Sequence, residues 1–179
     1  MSHTVYLAGP ITGQTLDGAN NWRKMATNRL NAHGIEALDP LRGKEYLNAR
    51  VEEDGKYHQL YDEHPMSTAH GITHRDRWDA TRSDLLLAYF PEDAELVSIG
   101  TCMEIAWANG AQRYVLTVIE GSDNNIHWHA MIREASSLVL DDLDHALSLV
   151  PVILGPGIRS HLQNYHQRGY VSGGRFPPP

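Results

Sequence analysis

A single cysteine, Cys102, stands among the 179 residues, which excludes an internal disulfide and fits a reducing compartment. No apolar run approaches the ~20 residues that a membrane-spanning helix needs. The opening residues run straight into a β-prone stretch without a leader pattern. Basic residues are also short: 15 Lys and Arg face 22 Asp and Glu, for a net charge of −7. The clustered cations that hold a phosphate backbone are therefore missing, and no nucleic-acid partner is expected. Two nucleotide signatures are absent as well. Residues 6–13, Tyr-Leu-Ala-Gly-Pro-Ile-Thr-Gly, lack G-x-G-x-x-G spacing, and no Gly-Lys-Ser/Thr follows them. A nicotinamide dehydrogenase and a P-loop enzyme are thereby disfavoured, and no cofactor is expected. What remains is a cytoplasmic protein acting at small-molecule scale, with no membrane partner.

Apolar content of 41% is ordinary for a globular chain. The pattern predicts one α/β domain over residues 1–154 and a basic tail over 155–179. That tail holds Arg159, Arg168 and Arg175 and no acid; it reads as mobile or folded over a neighbouring subunit. Strands are expected at 4–8, 35–38, 85–90, 114–119 and 137–140. Helices are expected at 19–33, at 130–135, at 141–154, and after residue 98 as far as the Asn109-Gly110 pair. The run Leu85 to Phe90 is continuously apolar, as in a parallel strand buried on both faces. Strand–helix alternation of this kind implies a five-stranded parallel, flavodoxin-like sheet with helices on both faces. Residues 41–74 interrupt it as a long polar connection, with one short helix expected near 44–51. Its Tyr46, Tyr57 and Tyr61, with Trp78 beyond it, are weak candidates for stacking on a ligand.

Residues 98–108, Ser-Ile-Gly-Thr-Cys-Met-Glu-Ile-Ala-Trp-Ala, carry the most chemistry. They place Glu104 in the first turn of a helix that follows a strand, at the carboxyl edge where open α/β sheets keep ligands. The helix dipole there favours an ionised carboxylate, the form a nucleophile requires. Thr101-x-x-Glu104 is equally the pattern of a capping box, whose glutamate only closes helix N–H groups. Upstream, residues 75–84 interleave Asp76, Asp79 and Asp84 with arginines, usually a solvated helix face. Asp84 stands at the mouth of the central strand, from which an acid could reach the cleft of Glu104. Glycines 9 and 13 let backbone N–H groups approach a sugar or phosphate. Eleven histidines raise a metal reading. His70 with His74 and His127 with His129 supply two ligands each, short of the three or four required, and no metal is expected.

Taken in order, these motifs resemble the nucleoside 2-deoxyribosyltransferase family, which includes deoxynucleoside monophosphate N-glycosidases, in its phage and bacterial versions. The matching residues are Tyr6-Leu7-Ala8-Gly9-Pro10-Ile11 with Gly13, Asp39-Pro40, Arg75-Asp76, Ser83-Asp84-Leu85-Leu86-Leu87, and Ser98-Ile99-Gly100-Thr101 with Met103-Glu104. The resemblance implies that Glu104 attacks C1′ of a nucleoside or its 5′-monophosphate, and that a covalent glycosyl-enzyme passes the sugar to water or another base. It implies Asp76, with Asp84 second, as handling the base and its proton, and Tyr6 as orienting nucleophile and sugar. Asp39 reads as a turn-fixing residue. Gly9, Pro10, Ile11, Gly13, Ser98 and Gly100 would line the substrate. His129-Ala130-Met131-Ile132-Arg133 matches a segment that reaches a neighbouring subunit's substrate, with histidine where the glycosidase branch has serine. A homodimer or higher oligomer is thus expected, with His129, and also His127 as a candidate, contributed across the interface. The alternatives are a base-exchanging transferase on unphosphorylated nucleosides and, from another class, a non-catalytic nucleotide-sensing module.

Overall fold

The structure, a computed structural model, describes residues 2–44 and 65–155. Five parallel strands form one sheet: β1 (Thr4–Ala8), β2 (Glu36–Leu38), β3 (Leu85–Phe90), β4 (Tyr114–Ile119) and β5 (Leu138–Leu140). Their order is β2-β1-β3-β4-β5, the flavodoxin-like arrangement that the strand–helix alternation implies. The helices are α1 (Leu16–Ala32), α2 (Ala69–Arg82), α3 (Ile99–Gly110), α4 (Ala130–Glu134) and α5 (Leu143–Leu154).

The period of two along each strand sorts side chains onto two cores. Val5, Leu7, Leu85, Leu87, Leu116 and Val118 face α1 and α5, where Trp22, Ala26, Leu30 and Val150 meet them. Tyr6, Ala8, Leu86, Ala88 and Phe90 face the other way, against Ala80 of α2, Ile105 and Ala108 of α3 and Ile132 of α4. Because Tyr6 lies on the second face, its hydroxyl looks toward α3. The apolar runs of β1, β3 and β4 therefore set the sheet and also aim one polar side chain into the site.

Local chemistry fixes the helix starts. Thr15 caps α1 by accepting from Gly18 N–H, three residues earlier than periodicity suggests, and Asp142 caps α5 through His145 N–H. Two expectations fail. The long connection does not run to residue 74, because α2 begins at Ala69 with Thr68 as its cap. Gly71 is required there, since a Cβ on it would sit 2.1 Å from the Pro65 carbonyl oxygen. Glu104 is also not in the first turn, since α3 starts at Ile99, with Ser98 as its N-cap residue. Thr101 shares a 2.8 Å hydrogen bond with the Ser98 hydroxyl, so the capping-box reading of Glu104 does not hold. The short helix expected near 44–51, and the tail beyond residue 155, lie outside the described residues. Among the described residues, no helix is long and apolar enough to cross a membrane.

Candidate active site

At the carboxyl ends of β1 and β3 lies a cavity of about 510 Å³. Its walls come from the turn after β1 (Gly9, Ile11, Thr12), the loop after β2 (Pro40, Lys44), α2 (Ile72, Thr73, Asp76), and residues 96–107. The last stretch contributes Ser98, Gly100, Thr101, Met103, Glu104 and Trp107. Pro10 and Gly13 complete the β1 turn without lining the cavity; Gly13 takes a left-handed φ of 78°.

Glu104 is 7% exposed. Its Oε1 accepts a 2.7 Å hydrogen bond from the Tyr6 hydroxyl. Burial, then the nearby Asp76 charge, pushes the Glu104 carboxyl up to about 8, against the Tyr6 bond and the Arg23 and Lys44 charges, which favour ionisation. The helix-dipole argument for an ionised group in the first turn is thus overturned: one full turn into α3, desolvation wins. Asp76 is raised too, by burial, although Lys44 and Arg75 oppose the shift. Its Oδ1 accepts from Arg75 Nε and Nη2 at 3.4 and 3.3 Å, and its Oδ2 lies 3.9 Å from Lys44 Nζ. Tyr6 is raised, chiefly by burial. Glu104 and Asp76 thus both resist ionisation while lining one cavity, in different surroundings, an arrangement that suits one as nucleophile and one as acid.

A buried cation stands behind this pair. Arg23 of α1 is fully enclosed; its Nη2 donates to the Gly9 carbonyl at 2.7 Å, its Nη1 donates to Ala19, and its Nε lies 3.8 Å from Asp39. It pins the β1 turn and lends positive potential to Glu104. Asp39 also accepts from Leu41 N–H at 2.8 Å, as a turn-fixing residue should.

Asp84 is elsewhere. It precedes β3 and so sits at the amino edge of a parallel sheet, opposite the cavity. There it accepts from Thr4 N–H at 2.8 Å and faces His3. Asp79 is no solvated face either: it is buried between Arg42 and Arg82. Trp78 is 65% exposed with Arg82 over its ring, and it does not line the cavity. Tyr46, Tyr57 and Tyr61 fall outside the described residues. The rings of His70 and His74 lie 4.2 Å apart on α2, tilted at 48°, and no group of three metal-ligating side chains occurs among the described residues.

The two downstream histidines separate. His129 caps α4, its Nδ1 accepting from Met131 N–H at 3.2 Å; it is exposed and does not line the cavity of its own chain. His127 is fully buried and stacked 4.1 Å over Phe90, so as placed it is not available to a neighbouring subunit. Its Nε2 accepts from Ser98 N–H at 2.9 Å, and its Nδ1 lies 3.1 Å from Asn125 Oδ1. The bond from Ser98 assigns the N–H to Nδ1, donating to Asn125. Asn125 Nδ2 in turn donates to the Pro91 and Glu120 carbonyls at 2.9 and 2.8 Å. This clip ties the start of α3, hence Glu104, to the ends of β3 and β4. His127→Ala is expected to lower kcat/KM by about tenfold or more by loosening α3. His127→Gln, which can still accept from Ser98, should recover most of it. Steady-state kinetics on both variants checks this; equal loss in both would contradict the clip.

Lys44, Trp107, Arg23 and the His127 clip carry no sequence motif and emerge only from the packing.

A five-stranded parallel sheet with two carboxyls lining a cavity at its carboxyl edge defines an α/β protein of the flavodoxin-like class. The nucleoside 2-deoxyribosyltransferase family model matches residues 5–149, and the chain belongs to that family. No curated protein matches the chain in sequence. Solved structures share the fold. The CMP N-glycosidase BcmB of Clostridium botulinum is 14% identical, with a TM-score of 0.51, over 84% of this chain and 99% of its own. A 2-deoxyribosyltransferase of Bacillus psychrosaccharolyticus is 13% identical, with a TM-score of 0.55, over 80% and 90%. The Moco carrier protein of Chlamydomonas reinhardtii is 19% identical, with a TM-score of 0.56, over 86% and 98%. Membership of the family supports transfer of a nucleoside's glycosyl group, by exchange or by hydrolysis.

Proposed function

We propose that the protein cleaves the N-glycosidic bond of a (2′-deoxy)nucleoside or its 5′-monophosphate in the cytoplasm, with Glu104 as nucleophile. The observation that carries this reading is the buried Tyr6–Glu104 hydrogen bond at a cavity that Asp76 also lines. Ionised Glu104 forms a bond to C1′ as the C1′–N pair leaves with the base. The Asp76 carboxyl protonates that base, and Tyr6 holds the attacking oxygen in line. Water or a second base then opens the glycosyl ester, with retention overall. The turn from Gly9 to Gly13, the Ser98 hydroxyl and the Gly100 amide at the start of α3 would receive the sugar and its 5′ end. Asp84, at the opposite edge, has no part in it.

The fold is also that of Moco carrier proteins, so binding without turnover is the reading from another class. Product analysis on a panel of nucleosides and 5′-monophosphates separates the two. Free base released by the wild type and absent with Glu104→Gln supports cleavage; bound ligand without any product supports a sensing module. New nucleosides on adding a second base would mark the exchanging transferase.

The 5′-monophosphate is favoured by His129 at the exposed start of α4. Apolar side chains lie exposed nearby in sequence and at the cavity rim, Met131 at 76% and Ile99 at 71%. Both features suit an interface between copies, with His129 entering the partner's cavity in a homodimer or higher oligomer. His129→Ala is expected to cost about tenfold in kcat/KM on the monophosphate and little on the nucleoside. Equal loss on both would remove the phosphate argument.

A further inference from the structure

The cavity is built from two flanks whose chemistry differs. β2 lies on one side of β1 and β3 on the other, so the loop after β2 and α2 make one flank, and the segment leading into α3 makes the other. The α3 flank offers backbone N–H groups and suits the sugar and its 5′ substituent. Glu104 must meet C1′, which leaves the α2 flank for the base. On that flank Lys44 is 5% exposed, lines the cavity, and has its Nζ 3.9 Å from Asp76 Oδ2. An ammonium is strongly hydrated, and burying one inside a ligand cavity is costly unless a partner or a substrate uses the charge.

We propose that Lys44 makes this cavity selective for bases bearing a carbonyl in place of an exocyclic amine, by pairing with the negative charge that the base acquires as it leaves. The inference rests on the glycosidic reading above. As Glu104 bonds to C1′, the C1′–N electron pair moves onto the base nitrogen and spreads to the ring carbonyl oxygen. The Lys44 ammonium donates a hydrogen bond to that oxygen, while Asp76 then delivers its proton to the base. The base departs neutral, Glu104 is left as the glycosyl ester, and Asp76 remains as a carboxylate beside Lys44. An exocyclic amine presents N–H toward the same ammonium, donor against donor, and leaves the charge unanswered. Burial draws Lys44 down to about 8, with Asp76 opposing the shift, so the cation persists at neutral pH. Neither Arg75 nor Arg23 duplicates it, since the first donates to Asp76 and the Arg42 carbonyl and the second to the Gly9 carbonyl.

The test uses matched pairs that differ only in that group: 2′-deoxyinosine against 2′-deoxyadenosine, and 2′-deoxyuridine against 2′-deoxycytidine, each with its 5′-monophosphate. Wild type should favour the carbonyl member by about tenfold or more in kcat/KM. Lys44→Met should erase that ratio mainly by slowing the carbonyl member, and Lys44→Arg, which keeps the cation, should retain its direction. Calorimetric binding of free hypoxanthine against adenine to the same three proteins reads the preference without turnover. Cleavage with a ratio unchanged in Lys44→Met, preference for the amine, or equal binding of the two bases overturns the proposal. Hypoxanthine-selective binding that depends on Lys44, in a protein that cleaves nothing, keeps the base preference and overturns the glycosidic reading.

Discussion

Glu104→Gln is expected to lose at least about 10⁴-fold in turnover while still binding substrate. The amide keeps the size of the side chain and can still accept from the Tyr6 hydroxyl, so the cavity and the start of α3 should be undisturbed. What disappears is the oxygen that bonds to C1′. A residue that merely closed a helix end would not behave this way; losing a cap costs ~1 kcal/mol of stability and leaves chemistry alone. Steady-state kinetics with calorimetric binding of the same substrate checks the split: a collapse of kcat at nearly constant Kd is the predicted outcome. Activity of the wild type should also rise with pH toward about 8, because Glu104 carries a proton below that value. Asp76→Asn should lower kcat instead of moving this rise, since it removes the acid that protonates the departing base.

The same Glu104→Gln substitution is expected to stabilise the fold, and only above acidic pH. Glu104 titrates at the ordinary 4.5 in an unfolded chain and at about 8 when folded. Below 4.5 both states hold the proton and the residue costs nothing. Between 4.5 and 8 the unfolded chain releases its proton while the native state keeps it, so stability falls as pH rises. Above 8 the full penalty stands. Glutamine does not titrate, so the variant should melt alongside wild type near pH 4. It should melt higher by pH 8, by about 2 kcal/mol or more, which is ~5 °C for a domain of this size. Melting curves at pH 4, 6 and 8 give the answer; a gap that does not widen with pH would contradict a costly buried carboxyl. Such a gain would place the cost of the site in the fold's own stability, as expected where function needs a desolvated acid.

The sheet was legible because its central strands are apolar on both faces. The runs 4–8, 85–90 and 114–119 need no context to be read as buried parallel strands, and their alternation with helices fixes the topology. The start of α2 was not legible, because Gly71 and two histidines look like loop until Pro65 is seen pressing against the helix. Asp84 misled for a simple reason. Residues before a parallel strand lie at its amino edge, so adjacency in sequence to β3 put the acid on the wrong side of the sheet. Glu104 was found, but its electrostatics were inverted, since a local pattern shows a helix start and not the desolvation one turn further in. Lys44, Arg23 and Trp107 come from three separate elements. Only folding brings them together, and no spacing rule connects them. The His127 clip was hidden for the same reason, its bond to Ser98 spanning 29 residues.

The account turns on Glu104 breaking an N-glycosidic bond. The most direct test is chromatography with mass spectrometry of wild type and Glu104→Gln, incubated with nucleosides and 5′-monophosphates, with and without a second free base. The account predicts free base from wild type and none from the variant, with sugar, sugar phosphate or a new nucleoside as the second product. Equal release by the variant, or ligand bound by wild type with no product from any substrate, would contradict it.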